Sequence, residues 1–147
     1  RRIDPYTFAP THIHWGLDNR TVLARCIAEA GSAATRVEFR AAGADANPYL
    51  VIAGLLAAGA DGITNDLDPG PMSEGDMYTN PGDCVALANT LDGVIQAFTG
   101  SELSTGLGEM FSASFVSMAV AEAIQAAENA VADDVNDWER DRYIEFS

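Results

Sequence analysis

The hydrophobic periodicity of this chain changes at Asn47-Pro48, and that change limits the fold more than any other feature. Before it, Thr21-Val-Leu-Ala-Arg-Cys-Ile27 is dominated by apolar and β-branched residues, and Thr35-Arg-Val-Glu-Phe-Arg40 follows after a soft stretch from Ala28 to Ala34. Both read as strands of one hairpin. Two-residue alternation puts Arg36, Glu38 and Arg40 on one strand face and Val37 and Phe39 on the other. After the change, Asn47 caps a helix with Pro48 at its first position, and Tyr49 to Ala60 runs apolar nearly all round until Gly62. A helix apolar on every side is expected to be buried.

Residues 61–82 are rich in Gly, Pro, Asn and Asp and read as a long irregular excursion, a kind of loop that usually carries function or moves. Helices are expected again near Thr90 to Phe98, Gly108 to Ala132 and Asp137 to Phe146, the last opened by Asn136 and Glu139 in a capping-box arrangement. In the long one Val116, Val120, Ile124, Ala127 and Val131 recur at helical spacing and are expected to face a core. Strands followed by helices, without an internal repeat or a linker, make residues 1–147 a single α+β unit or part of one.

Charge is distributed unevenly along this frame. The chain carries eight basic residues, all Arg, against twenty-two acids, a formal net charge of −14. Residues 1–40 hold six of the Arg against four acids, whereas residues 41–147 hold two against eighteen. An acidic surface of this size excludes non-specific nucleic-acid binding and docking on an anionic membrane. The lack of Lys together with abundant Asp and Ala fits either a high-GC genome or adaptation to salt, with salt adaptation favoured. Concentrating the cations in the first quarter suggests an anion site, because Arg forks bind carboxylate and phosphate bidentately, although surface pairing accounts for the same composition.

Cys26 and Cys84 have neither metal-site nor redox spacing and read as small buried hydrophobes in a reducing, cytoplasmic compartment. The longest apolar run, around Leu50 to Ala60, is too short to span a bilayer, and no signal peptide is recognised. The opening Arg1-Arg-Ile-Asp-Pro reads like the middle of a longer protein.

The anion-site candidates are Arg20 and Arg25 around the first strand and Arg36 and Arg40 on the second, which can converge if the strands pair. Glu38, between two Arg on one face, is expected to be ionised and could supply one oxygen to a hard divalent cation, or simply be a salt-bridge partner. His12 and His14 alternate in Thr11-His-Ile-His-Trp15 and are expected to be structural or exposed.

Several ordered segments then carry a resemblance: Asn19-Arg-Thr-Val-Leu-Ala-Arg25, Arg36-Val-Glu-Phe-Arg40, Ala46-Asn-Pro-Tyr-Leu50, Leu56-Ala-Ala-Gly-Ala-Asp-Gly-Ile63, and Asp137-Trp-Glu-Arg140 with Tyr143. Together they resemble the C-terminal catalytic portion of the glutamine synthetase family, essentially end to end. The resemblance implies the fold: antiparallel strands of an incomplete barrel, backed by helices. It also implies ATP-dependent ligation, in which the γ-carboxylate of L-glutamate is phosphorylated and an amine displaces the phosphate. By the same resemblance Arg20, Arg25 and Arg36 line the ATP phosphate region, with Arg20 and Arg40 catalytic. Glu38 matches a magnesium or manganese ligand, and Arg40 and Arg2 match arginines that hold glutamate.

The upstream metal motifs and the N-terminal domain of the family's homo-oligomeric ring lie outside residues 1–147, so these residues alone are expected to be inactive. Retention of the Arg and Glu positions favours an enzyme over a non-catalytic scaffold relative, on the expectation that four buried cations surround one acid.

Two departures from the family pattern bear on the nitrogen donor. Where ammonia-using members carry a loop resembling Arg-Leu-x-Pro-Gly-x-Glu-Ala-Pro, this chain has Arg2-Ile-Asp-Pro-Tyr-Thr-Phe8-Ala-Pro10, with Phe8 in place of the Glu. A phenyl ring cannot accept a proton or attract ammonium, and Trp15-Gly-Leu-Asp-Asn-Arg-Thr21 also looks more like the glutamate–polyamine and related amine ligases. An organic amine is therefore favoured over ammonia, with a true glutamine synthetase as the alternative. Tyr78 falls where some members are adenylylated, but its context departs from that motif, and it reads as an exposed loop residue without a regulatory role.

Overall fold

The computed structural model describes residues 8–28, 33–44 and 46–129, together with Asp137 and Arg140. It divides into two compact units, one of residues 1–43 and 62–89, the other of residues 44–61 and 90–147.

The first unit is built on a three-stranded sheet in the order β1 (Trp15–Leu17), β2 (Ala24–Ile27), β3 (Arg36–Phe39). The expected hairpin is β2 and β3, which pair antiparallel with Arg25 opposite Glu38 and Cys26 opposite Val37. The expectation of antiparallel strands needs one correction, because β1 pairs with β2 in parallel, with Gly16 opposite Arg25. Parallel neighbours ordinarily need a long crossover. Here residues 18–23 suffice because β1 is three residues long and Asp18, at φ 46°, turns the chain in the left-handed region that Asp tolerates.

The irregular segment after residue 64 is seated on the free side of β1. Ser73 N donates to Trp15 O at 2.9 Å, Trp15 Nε1 to Gly70 O at 2.9 Å, and Asn19 Nδ2 to Gly75 O at 2.8 Å. Residues 85–87 pair with 11–13 through Ile13 N to Val85 O and Leu87 N to Thr11 O, both 2.8 Å. Ala9, Pro10, Val22 and Met77 form the small core beneath these contacts.

At Gly16 a Cβ would stand 2.7 Å from Ser73 O and 3.3 Å from Val22 Cγ1. The carbonyl is backbone held by the ladder and cannot swing away. Gly16→Ala is therefore expected to destabilise the full-length protein by about 1–3 kcal/mol, the usual cost of overpacking, read as a lower denaturant midpoint; an unchanged midpoint would show that the loop is not held against β1.

The second unit is helical. Helix α1 (Pro48–Thr64) starts where expected, with Asn47 Oδ1 accepting from Tyr49 N and Leu50 N at 3.0 and 3.3 Å. It passes through Gly62 before ending, and none of its residues is buried. The expectation of a buried helix is thus corrected: Ile52, Leu56 and Ile63 are 56, 69 and 85% exposed, because no other described helix of its unit packs along it.

Helix α2 (Leu91–Thr99), capped by Thr90, packs with α4 (Glu109–Glu128) through Phe98, whose ring meets Phe115 edge-on at 5.1 Å. Between them lies a short helix not foreseen in the sequence, α3 (Glu102–Gly106), capped by Ser101 and tied to α4 by Ser112 Oγ donating to Ser104 O at 2.5 Å.

The inward face of α4 carries Ser112, Phe115, Val116 and Ala119, so of the expected stripe Val116 is half-buried while Val120, Ile124 and Ala127 are exposed, and Val131 lies outside the described residues. By length and composition α4 could cross a bilayer, yet its Phe115 face is the packed face of this helical unit. The last expected helix lies outside the described residues except for Asp137 and Arg140, both helical and ion-paired at 3.3 Å.

Candidate anion-binding site

Because Arg25 and Glu38 face each other across β2 and β3, their side chains meet on one face of the sheet. Arg25 Nη1 donates to Glu38 Oε2 at 2.9 Å, and its Nη2 donates to Asp18 Oδ1. Arg36, two residues from Glu38 on the same face, donates to Glu38 Oε1 at 3.2 Å and to Ala34 O at 2.7 Å. Each oxygen of Glu38 is thus taken by a guanidinium. The hydrogen bond from Arg25 is the main cause holding the Glu38 carboxyl below its ordinary range, and the bond that Arg25 donates to Asp18 is the main cause raising Arg25 above its own.

The Arg25 side chain is 14% exposed and Arg36 53%, so the expectation of four buried cations is corrected to one nearly buried guanidinium among more exposed ones. Arg25 Nε is shielded from solvent and has no hydrogen-bond partner among the described residues. Asp18, Arg25 and Arg36 border a cavity of about 360 Å³ together with the strand end Cys26–Ala28.

The expected convergence holds for Arg25 and Arg36 and fails for the other two. Arg20 lines a second cavity of about 600 Å³, between Leu17–Asn19 and the Met72–Gly75 loop. Arg40 lies one residue beyond β3 and spends its guanidinium on backbone carbonyls. Its Nη1 donates to Arg20 O and, at 3.3 Å, to Val22 O; its Nη2 donates to Phe8 O at 2.9 Å. Arg2 lies outside the described residues. Asp18 was not singled out in the sequence, although Asp-Asn before Arg20 is a signal for a left-handed turn.

A magnesium or manganese ion does not fit the donors that the described residues present by themselves. Such an ion needs about six oxygen ligands, and Glu38 offers one carboxylate already committed to two Arg. Among the described residues there is no group of three His, Cys, Asp or Glu that could hold a metal.

His12 and His14 are held differently. His14 is buried, with Nδ1 accepting from Leu23 N at 3.3 Å, and His12 Nδ1 lies 2.9 Å from Thr11 Oγ1. Burial pushes the His14 pKa below 6.5, with a smaller contribution from His12. The unfolded chain therefore takes up the proton first as pH falls, so the stability His14 confers is intact above about 6.5 and lost progressively below it. The midpoint of urea unfolding of the full-length protein should drop more between pH 7 and 5 than that of a His14→Gln variant; parallel pH profiles would refute this.

Tyr78 is half-buried rather than exposed, and its hydroxyl donates to Ala9 O at 3.0 Å.

The family model described as the glutamine synthetase catalytic domain matches residues 1–143. The chain belongs to the glutamine synthetase family. A glutamate–isopropylamine ligase of a Pseudomonas species is 42% identical over 134 residues, covering 90% of this chain and 28% of its own. A gamma-glutamylethanolamide synthetase of Streptomyces coelicolor is 36% identical over 148 aligned positions, covering 99% of this chain and 30% of its own. A glutamine synthetase of Halobacterium salinarum is 35% identical, covering 99% and 32%.

Among solved structures, a GmaS/ADP complex superposes with a TM-score of 0.70 at 30% identity, covering 94% of this chain and 30% of the other. The chain thus spans somewhat under a third of the length of these glutamine synthetase relatives. The α+β architecture read above is that of the family's catalytic domain.

Proposed function

We propose that the intact protein is an ATP-dependent ligase that joins the γ-carboxylate of L-glutamate to an organic amine through γ-glutamyl phosphate. The observation that carries this reading is the family match over residues 1–143, with two relatives at 36 and 42% identity named for amine donors. In the first step a γ-carboxylate oxygen attacks the terminal phosphorus of ATP and ADP leaves. In the second the amine nitrogen attacks the acyl carbon, phosphate leaves, and the nitrogen gives up a proton.

Phosphoryl transfer depends on positioning and on neutralising oxygen charge. Arg25 and Arg36 supply that charge beside one cavity and Arg20 beside another, as the family resemblance suggests for the ATP phosphates. The ADP complex among the structural neighbours supports nucleotide use. Arg40 and Arg2 are proposed for glutamate. Magnesium, with Glu38 as one ligand, would need further ligands from outside residues 1–147. These residues alone are accordingly proposed to be inactive, the whole protein forming a homo-oligomeric ring. A cytoplasmic location fits Cys26 and Cys84, both unpaired.

A second reading, a glutamine synthetase using ammonia, is favoured by the Halobacterium relative. The two separate in one assay: phosphate release by the full-length protein with ATP, glutamate and magnesium, comparing ammonium with isopropylamine, ethanolamine and putrescine at low and high salt. Turnover with an amine but not ammonium supports the first reading, and turnover with ammonium alone the second. Turnover with neither would leave a non-catalytic scaffold.

A further inference from the structure

The Phe8 backbone is left-handed at φ 62°, a conformation that disfavours bulky side chains, and the residue is 82% exposed. Such a residue persists when its surroundings over-determine it. Two side chains from distant parts of the sequence do so by taking consecutive carbonyls. Arg40 Nη2 donates to Phe8 O at 2.9 Å, and the Tyr78 hydroxyl donates to Ala9 O at 3.0 Å. Ala9 and Pro10 behind them are buried.

Tyr78 is itself fixed. Its amide donates to Asp76 Oδ1 at 2.9 Å, Thr79 Oγ1 donates to Asp76 Oδ2 at 2.5 Å, and the neighbouring Met77, buried, donates its amide to Thr21 Oγ1 at 3.0 Å.

We propose that Tyr78 is a positioning residue that, together with Arg40, clamps the Phe8–Ala9 backbone so that the Phe8 ring is held out as a fixed apolar surface for the alkyl part of an amine donor. The link to donor choice rests on the ligase reading above; the clamp itself does not. The hydroxyl makes no contact with substrate in this proposal and acts only through Phe8.

Tyr78→Phe in the full-length protein removes the hydroxyl and keeps the ring, and two readouts separate the clamp from its consequence. Hydrogen exchange over residues 8–13 should quicken by about three- to tenfold, as expected for the loss of one such hydrogen bond, while the segments of the helical unit stay unchanged. The preference for isopropylamine over ammonium, as the ratio of kcat/KM values, should fall by a similar factor through KM of the amine.

In a Phe8→Ala background the same substitution should leave that ratio unchanged, since a residue acting through Phe8 has nothing left to act on. Unchanged exchange would overturn the clamp whatever the enzyme's donor. Faster exchange with an unaltered ratio, or effects that simply add in the double variant, would overturn the role in selection. Absence of turnover with any donor would overturn the ligase reading and the selection role with it, leaving exchange to decide the clamp.

Discussion

Arg25→Ala in the full-length protein is expected to lower kcat for phosphate release by about 10²–10³, the range found when one preorganised donor to a developing anion is removed. Arg25 is the guanidinium in which shielding, fork geometry and a spare donor coincide. Its two terminal nitrogens are held by Glu38 and Asp18, and Nε has no partner among the described residues. Removing it takes away a positive charge and leaves Asp18 at the cavity proposed to receive phosphate, and Glu38 beside it, with Arg36 as the one remaining cation of the cluster, so the local charge becomes net negative.

Arg25→Lys keeps the charge but cannot hold both acids and a ligand oxygen in one plane, so its kcat should lie between the wild type and the Ala variant. The Glu38 carboxyl provides an independent signature. With Arg25 gone its titration should move up toward the ordinary carboxylate range, measurable by NMR of the labelled side chain. Equal activity of Arg25→Ala and the wild type would remove Arg25 from the proposed machinery.

The second large effect concerns the nitrogen donor. Phe8→Glu places a carboxylate on an exposed and clamped backbone position. It should move the preference from an organic amine toward ammonium by about 10–200-fold in the ratio of kcat/KM values, the span over which an apolar contact of this size discriminates. The change should be seen in both terms, with ammonium used better and the alkylamine worse. If the variant lost both activities equally, Phe8 would be a structural residue rather than a donor-selecting one.

Much of the frame was legible because it rests on local chemistry. The β2–β3 pairing follows from alternation, the start of α1 from Asn47-Pro48, and the start of α2 from Thr90, whose hydroxyl oxygen accepts from Gly93 N. The pairing of Arg25 and Arg36 on Glu38 follows from the same alternation once the register is fixed.

What escaped sequence reading depends on contacts made at a distance. β1 is three residues long and owes its existence to a partner strand and to a loop more than fifty residues away, so no periodicity announces it. Arg40 shares a predicted face with Glu38, yet it lies past the strand end, where the carbonyls of Phe8, Arg20 and Val22 compete successfully for its guanidinium. The all-round apolar pattern of α1 correctly marks a helix, but burial requires another element against it, and a helix's own sequence does not report whether one is present. The face of α4 was misassigned for a related reason: with Ala on many positions, its inward side is chosen by Phe98 and Ser104 on other helices.

The stitches between Ala9 and Tyr78, Trp15 and Gly70, and Asn19 and Gly75 also carry a consequence for synthesis on the ribosome. The sheet unit closes through bonds separated by 69, 55 and 56 residues and through the pairing of residues 85–87 with 11–13, so it cannot be completed when β3 emerges and must wait until the segment through Leu87 has left the exit tunnel. At ordinary elongation rates that wait lasts a few seconds. Throughout it the nascent chain displays an unfinished sheet unit followed directly by the apolar surface of α1, which makes this stretch sensitive to a pause in translation between residues 64 and 87.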